Sequence, residues 1–144
     1  MSISMIKKID VAAALILNER NEVLLQKKDA EYPWFPNKWC MFGGWIELNE
    51  EPKNALDREL LEELGLAIND LSFYKKERYQ DTCHLGTREG DYFIYQGKFS
   101  GDISEIHLKE GAGFAFFSKD ELNSINLVYH NRRIIGEFFA KADF

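Results

Sequence analysis

The chain has 144 residues, the length of one domain able to bury roughly two-thirds of the surface that its unfolded form exposes. Apolar residues make up 45% and charged residues 29%, which excludes the disordered, collagen-like and low-complexity classes. The formal net charge of −6 argues against a nucleic-acid partner, because non-specific duplex binding runs on Lys and Arg neutralising phosphates; a divalent cation can still bring a polyphosphate to an acidic protein. Lys7 and Lys8 ahead of Val11–Leu17 imitate a signal peptide, but Asp10 splits the stretch and Asn18-Glu19-Arg20 stands where a small-residue cleavage site belongs. Ile9–Leu17 therefore reads as a buried strand. No apolar run approaches the ~20 residues of a membrane span, so no membrane partner is expected.

Asn18–Asn21 is a polar turn and Glu22–Gln26 a second strand, so the pair predicts a hairpin. Asp29–Asn37 holds Pro33 and Pro36 and reads as a loop. Trp39–Phe42 is short and extended, and Gly43-Gly44 is expected to break it. Pro52 suits the first turn of a helix, and Lys53–Leu64 carries the helical period up to a stop at Gly65. Leu71–Tyr79 and Asp91–Phe99 read as strands joined by a polar stretch with Gly86 and Gly90. Gly113–Phe117 is a further short strand, Ser118 can cap a short helix through Leu122, and Tyr129–Ala140 is a C-terminal helix. Strands interleaved with helices, plus a local hairpin, predict a single α/β domain over residues 1–144, a sandwich around a mixed sheet. The two cysteines, Cys40 and Cys83, stand alone without a CxxC pair, which points to a reducing, cytoplasmic setting and away from a disulfide framework.

The chemistry concentrates in Gly44–Leu66. At ~100° per residue, with Glu59 at zero, Glu62 falls at about −60° and Glu63 at about +40°, so three carboxylates share one helix face. Leu56, Leu60 and Leu64 fall at about +60° to +140°, with Leu61 just beyond, and mark the adjoining core side. Like charges within one turn repel, and the C-terminal half of a helix disfavours anions. A hard divalent cation reverses that sign, since it takes several carboxylate oxygens. The plain alternative is a solvated acidic face. Gly43-Gly44 allows a close approach of main-chain carbonyls to a ligand. Arg58 can brace the loop through Glu50 with its fork of donors, or simply form a helix ion pair.

This segment resembles the Nudix box, G-x5-E-x7-R-E-U-x-E-E-x-G-U, with U a bulky aliphatic residue. Gly44, Glu50, Arg58, Glu59, Leu60, Glu62, Glu63, Gly65 and Leu66 occupy its defined positions. Seven fixed identities at roughly one in fifteen each, over about 140 starting points, match by chance on the order of once in a million. The resemblance implies a Nudix-type α/β/α sandwich that hydrolyses a nucleoside diphosphate linked to another group. It implies that Gly43, Glu59, Glu62 and Glu63 surround Mg²⁺ or Mn²⁺, that Glu59 or Glu62 is the general base, Glu59 being preferred, and that Gly44, Glu50 and Arg58 shape the loop. Lys109-Glu110-Gly111 is similar to the loop that supplies a further metal ligand in the MutT-like branch, which makes Glu110 the candidate and Glu105 the reserve. In that branch the last helix carries a base-reading Asn, matched here by Asn131; its alternative is a helix-surface residue.

Tyr32, Trp34, Phe35 and Trp39 crowd the loop before the box. They either close a core or a dimer contact or, through Trp34, stack on a nucleobase. His84, His107 and His130 lack ligand spacing and read as surface or loop residues. Gly111-Ala112-Gly113 is an anion nest or a plain turn. No GxxxxGK occurs, so a P-loop is excluded. ADP-ribose hydrolases of the family tend to carry a proline a short way past the box, where this chain has Asp81. Dinucleoside-polyphosphate hydrolases tend to carry a tyrosine slightly farther on, and Tyr79 comes too early. What remains is a nucleoside triphosphate or a nucleotide sugar; the triphosphate is the expected substrate, cleaved to monophosphate and pyrophosphate by a monomer or homodimer. A nucleotide sugar, or nucleotide binding without catalysis, is the alternative.

Overall fold

A computed structural model describes residues 6–109 and 111–144. Its strands are β1 (Ile6–Lys8), β2 (Val11–Leu17), β3 (Val23–Lys27), β4 (Trp39–Cys40), β5 (Phe42–Trp45), β6 (Ser72–Cys83), β7 (Gly86–Lys98) and β8 (Gly113–Phe117). The two α-helices among the described residues are α1 (Pro52–Leu64) and α2 (Tyr129–Lys141). β2 runs parallel to β7 and antiparallel to β5, and β3 carries β4 and β8 antiparallel, so the sheet is mixed.

β2 explains why its sequence is apolar without interruption. Ala13 and Leu15 face one layer, where α2 brings Ile134, Ile135 and Phe138. Ala12, Ala14 and Ile16 face the other, where α1 brings Leu56, Leu60 and Leu64. A strand covered on both faces needs apolar side chains in both directions. Each fully buried Leu or Ile contributes about 1.5–3 kcal/mol relative to exposure. The result is the α/β/α sandwich. No helix among the described residues is long and apolar enough to cross a membrane.

The α1 boundaries agree with the sequence reading. Gly65 closes the helix in the left-handed region, at φ 73°, with its N–H donating to the Leu61 carbonyl. Leu61, at the far edge of the expected core side, stays half exposed. Three expectations change. Gly43-Gly44 does not break a strand but lies inside β5, opposite Ala13 and Ala12. A Cβ on Gly43 would lie 2.1 Å from the Ala12 carbonyl oxygen, so only glycine lets the two strands approach this closely. The polar stretch after Tyr79 is not a linker: β6 and β7 continue through it as a hairpin, pairing Gln80 with Glu89, Asp81 with Arg88 and Thr82 with Thr87. Opposite charges face each other across that ladder, a pairing that hydropathy does not register. The short helix after Ser118 is a 3-10 turn over Glu121–Ser124, with Ser118 and Glu121 capping each other reciprocally.

Candidate active site

Arg58 organises the loop between β5 and α1. Its Nε donates to Glu50 Oε2 at 2.9 Å and its Nη2 to Glu50 Oε1 at 3.0 Å, a two-point grip that a lysine could not make. Nη2 also reaches the Trp45 carbonyl at 3.1 Å, and Nη1 reaches Glu59 Oε1 at 2.8 Å. The Arg58 hydrogen bonds, with the Glu47 N–H, hold the Glu50 carboxyl down at about 2, against its ordinary 4.5. A depressed folded-state value stabilises the fold above the unfolded one and loses that contribution as pH falls. Wild type should therefore melt above Glu50→Gln by a constant margin over pH 5–7, and the margin should shrink from about pH 4.5 towards pH 2. Thermal melts of both proteins across that range check it; a margin that widens towards low pH would contradict the brace.

The three glutamates of the helix face do not share one environment. Glu59 lies against Gly44, where a Cβ would sit 2.3 Å from the Glu59 carboxyl carbon; this glycine leaves room for the carboxylate. Glu63, next to the core side of the helix, is 1% exposed. Its Oε1 accepts from the Gly43 N–H at 3.1 Å and its Oε2 from the Gln26 amide at 2.9 Å. Glu62 turns outwards, with its carboxylate 3.7 Å from Arg58 Nη1. No three carboxylate, imidazole or thiol side chains converge on one point among the described residues. The shared acidic face thus splits into a buried, a half-buried and an exposed carboxylate.

A divalent cation nevertheless fits the cavity between β5, β3 and α1. Gln26, Gly43, Glu59 and Glu63 line it, and its wall carries four carboxylates, counting Asp29 and Glu47, against one ammonium from Lys28. Gln26 is 1% exposed and its Oε1 has no hydrogen-bond partner among the described residues. A buried amide oxygen left unsatisfied costs about 1–3 kcal/mol, and a hard cation or its bound water removes that cost.

Glu110 lies outside the described residues. Glu105 is used elsewhere: it caps the 3-10 turn Ile103–Glu105 by accepting from the Asp102 N–H at 3.0 Å. The Gly111 turn reads as plain, since the Ala112 N–H is spent on the Lys27 carbonyl.

A second cavity of about 90 Å³ opens on the other side of Gly43-Gly44, walled by Tyr79, Tyr92, Trp34 and Phe35. Asn131 is fully buried on its floor, which corrects the helix-surface alternative. Its Oδ1 accepts from the Met41 N–H at 2.7 Å, and its Nδ2 donates to His130 Nδ1 at 2.9 Å. His130 is likewise buried and not a surface residue, whereas His84 and His107 are exposed. Asp81 is 3% exposed and lies between Arg88, Tyr129 and His130. Burial pushes its carboxyl up, but His130, Arg88 and Tyr129 more than offset this and hold it below its ordinary value. Burial raises the Tyr79 hydroxyl to about 12; it donates to the Ile9 carbonyl. The aromatic loop is divided: Trp39 packs on Phe117, while the Trp34 ring stacks on the Arg88 guanidinium, 4.1 Å from its centroid. Gln26, Asp81, Arg88 and His130 escape the sequence reading. The one local signal is the Asp81/Arg88 alternation of charge within the hairpin.

The NUDIX domain family model matches residues 7–138. The chain is 36% identical over 74 residues to the 8-oxo-dGTP diphosphatase of Escherichia coli K12, an alignment covering 51% of this chain and 57% of that protein. It thus spans little more than half of that relative's length. The chain is 28% identical over 119 residues to the nucleoside triphosphatase NudI of Enterobacter sp. strain 638, covering 78% and 84% of the two proteins. Among solved structures, the MutT protein of Methanosarcina mazei Go1 superposes with a TM-score of 0.81 over 96% of this chain and 97% of that one, at 20% identity. At that identity the likeness concerns the fold.

Proposed function

This chain belongs to the Nudix family, and from that premise we propose that it is a hydrolase of diphosphate bonds that cleaves a nucleoside triphosphate to monophosphate and pyrophosphate with a divalent cation. One observation carries the reading. The acidic, oxygen-lined cavity and the aromatic one meet along Gly43-Gly44 and share Gln26, Lys28, Tyr32 and Trp45. A phosphate chain over the first places a flat ring in the second. The names of the two curated relatives, a diphosphatase and a triphosphatase of nucleotides, support the same substrate class.

Gly43, Glu59, Glu62, Glu63 and Glu110 are the proposed holders of Mg²⁺ or Mn²⁺. A cation held there would neutralise phosphate oxygens and help to activate a water. Glu59 is positioned to take the proton of the attacking water as general base, with Glu62 as the alternative; Arg58 fixes one Glu59 oxygen and so the direction of the other. Lys28, at the junction of the cavities, puts a positive charge beside the passing phosphates. Trp34 and Asn131 bound the base site, Asn131 by holding its floor. Both cysteines are free thiols, in keeping with a cytoplasmic location. We read the whole chain as one domain.

Product analysis over nucleoside triphosphates and nucleotide sugars with Mg²⁺ tests this. Monophosphate and pyrophosphate from a triphosphate is the expected result. Turnover confined to nucleotide sugars, with release of a sugar phosphate, would replace the substrate assignment.

A further inference from the structure

We propose that Arg88 is the specificity-determining residue of this site, and that the base it accepts presents two adjacent hydrogen-bond acceptors. The proposal rests on reading the aromatic cavity as the base site. It follows from which polar groups there are already spent. Asn131 gives its Oδ1 to the Met41 N–H and its Nδ2 to His130. The Tyr79 hydroxyl goes to the Ile9 carbonyl, and the Tyr129 hydroxyl to Gln80 and Asp81. Arg88 differs. Its Nε lies 3.4 Å from Asp81 Oδ2, and its Nη1 and Nη2 have no hydrogen-bond partner among the described residues. The side chain is only 12% exposed, and the Trp34 ring lies over its plane. It is held as a fixed, flat pair of donors in an aromatic slot, free to meet a ligand.

Charge decides what kind of ligand. Asp81 beside Arg88 offsets the charge of the guanidinium, which weakens the pull of the fork itself on an anion. Neutral ring acceptors suit it better than a phosphate or carboxylate. A guanidinium fork takes two neighbouring acceptors at once, as in its pairing with guanine O6 and N7. Cytosine offers the same chemistry at N3 and O2. Adenine and uracil have no such pair, because each of their edges places an N–H or C–H next to the acceptor. Arg88 therefore selects guanine or cytosine nucleotides against adenine and uracil ones. A bidentate pair discriminates by about 1–3 kcal/mol, or roughly 5- to 150-fold.

The test compares kcat/KM for GTP, CTP, ATP and UTP with Mg²⁺ in wild type, Arg88→Lys and Arg88→Gln. Arg88→Lys keeps the charge beside Asp81 but loses the fork, and melting curves establish that each variant folds. GTP or CTP should lead ATP and UTP by at least about fivefold in wild type, and both variants should flatten the ranking. In wild type, 7-deaza-GTP, which lacks the N7 acceptor, should fall towards ATP if guanine is the base; a preference for CTP assigns cytosine. An adenine or uracil preference, or a ranking unchanged in folded Arg88→Lys and Arg88→Gln, overturns the proposal. Calorimetric binding of GMP, CMP, AMP and UMP without metal separates the two readings. If no triphosphate is cleaved but the monophosphates keep the guanine or cytosine preference and lose it in Arg88→Lys, the reaction assignment fails and this inference stands. If monophosphate binding shows no such preference, the inference falls whatever the enzyme cleaves.

Discussion

Glu63→Gln is expected to lower kcat about 100-fold or more, the lower end for loss of a positioned charge or base. The wild-type carboxylate is buried and accepts from two donors, the Gly43 N–H and the Gln26 amide. A glutamine there has only one oxygen, so its amide nitrogen must face one of those donors. The variant thus loses the negative charge, and one buried N–H goes unmet at a cost of about 1–3 kcal/mol. Melting temperature should fall, but the fold, anchored by Leu56, Leu60 and Leu64 on the same helix, should persist. Glu51→Gln is the control: Glu51 is exposed at the helix N-terminus and makes no side-chain cap, so kcat should stay near wild type. Steady-state kinetics with melting curves on both variants decide the matter. Equal losses at both positions would assign the effect to the helix, and a Glu63→Gln enzyme of wild-type kcat would remove Glu63 from the machinery.

Excess EDTA is expected to stop turnover of every nucleotide, and Mg²⁺ or Mn²⁺ to restore it. The cavity beside Gly43 collects carboxylates and the unpartnered Gln26 oxygen in a volume of about 330 Å³, a donor set suited to a hard cation. Without the cation, the same carboxylates repel an incoming polyphosphate. Because the folded site binds the cation, stability should rise with its concentration, by about 2.7 kcal/mol at a hundred times the dissociation constant. Pyrophosphate release and melting temperature over a Mg²⁺ titration measure both effects. Full activity in EDTA would exclude a cation-assisted reaction.

The acidic half of the site was legible in the sequence because its parts lie within one helix and the loop before it. Helical spacing puts Leu56, Leu60 and Leu64 on the core side and Glu59 and Glu63 beside it, and the structure follows that order. Spacing alone did not show that Glu63 would be buried, since the donors that satisfy it come from Gln26 on β3 and Gly43 on β5. β2 was equally readable, because a strand covered on both faces leaves an unbroken apolar run. The aromatic cavity was not. Met41 and Asn131, whose hydrogen bond forms its floor, are 90 residues apart. Asp81 and Arg88 lie in a polar stretch that reads as the connection between two strands until the hairpin pairs them and α2 sets His130 beside Asp81. Hydrophobic periodicity reports which face of an element meets the core, so it finds elements and local motifs. A polar side chain buried by groups from other parts of the chain leaves no such period, and only the tertiary structure decides that Asp81, Arg88 and His130 belong to one site.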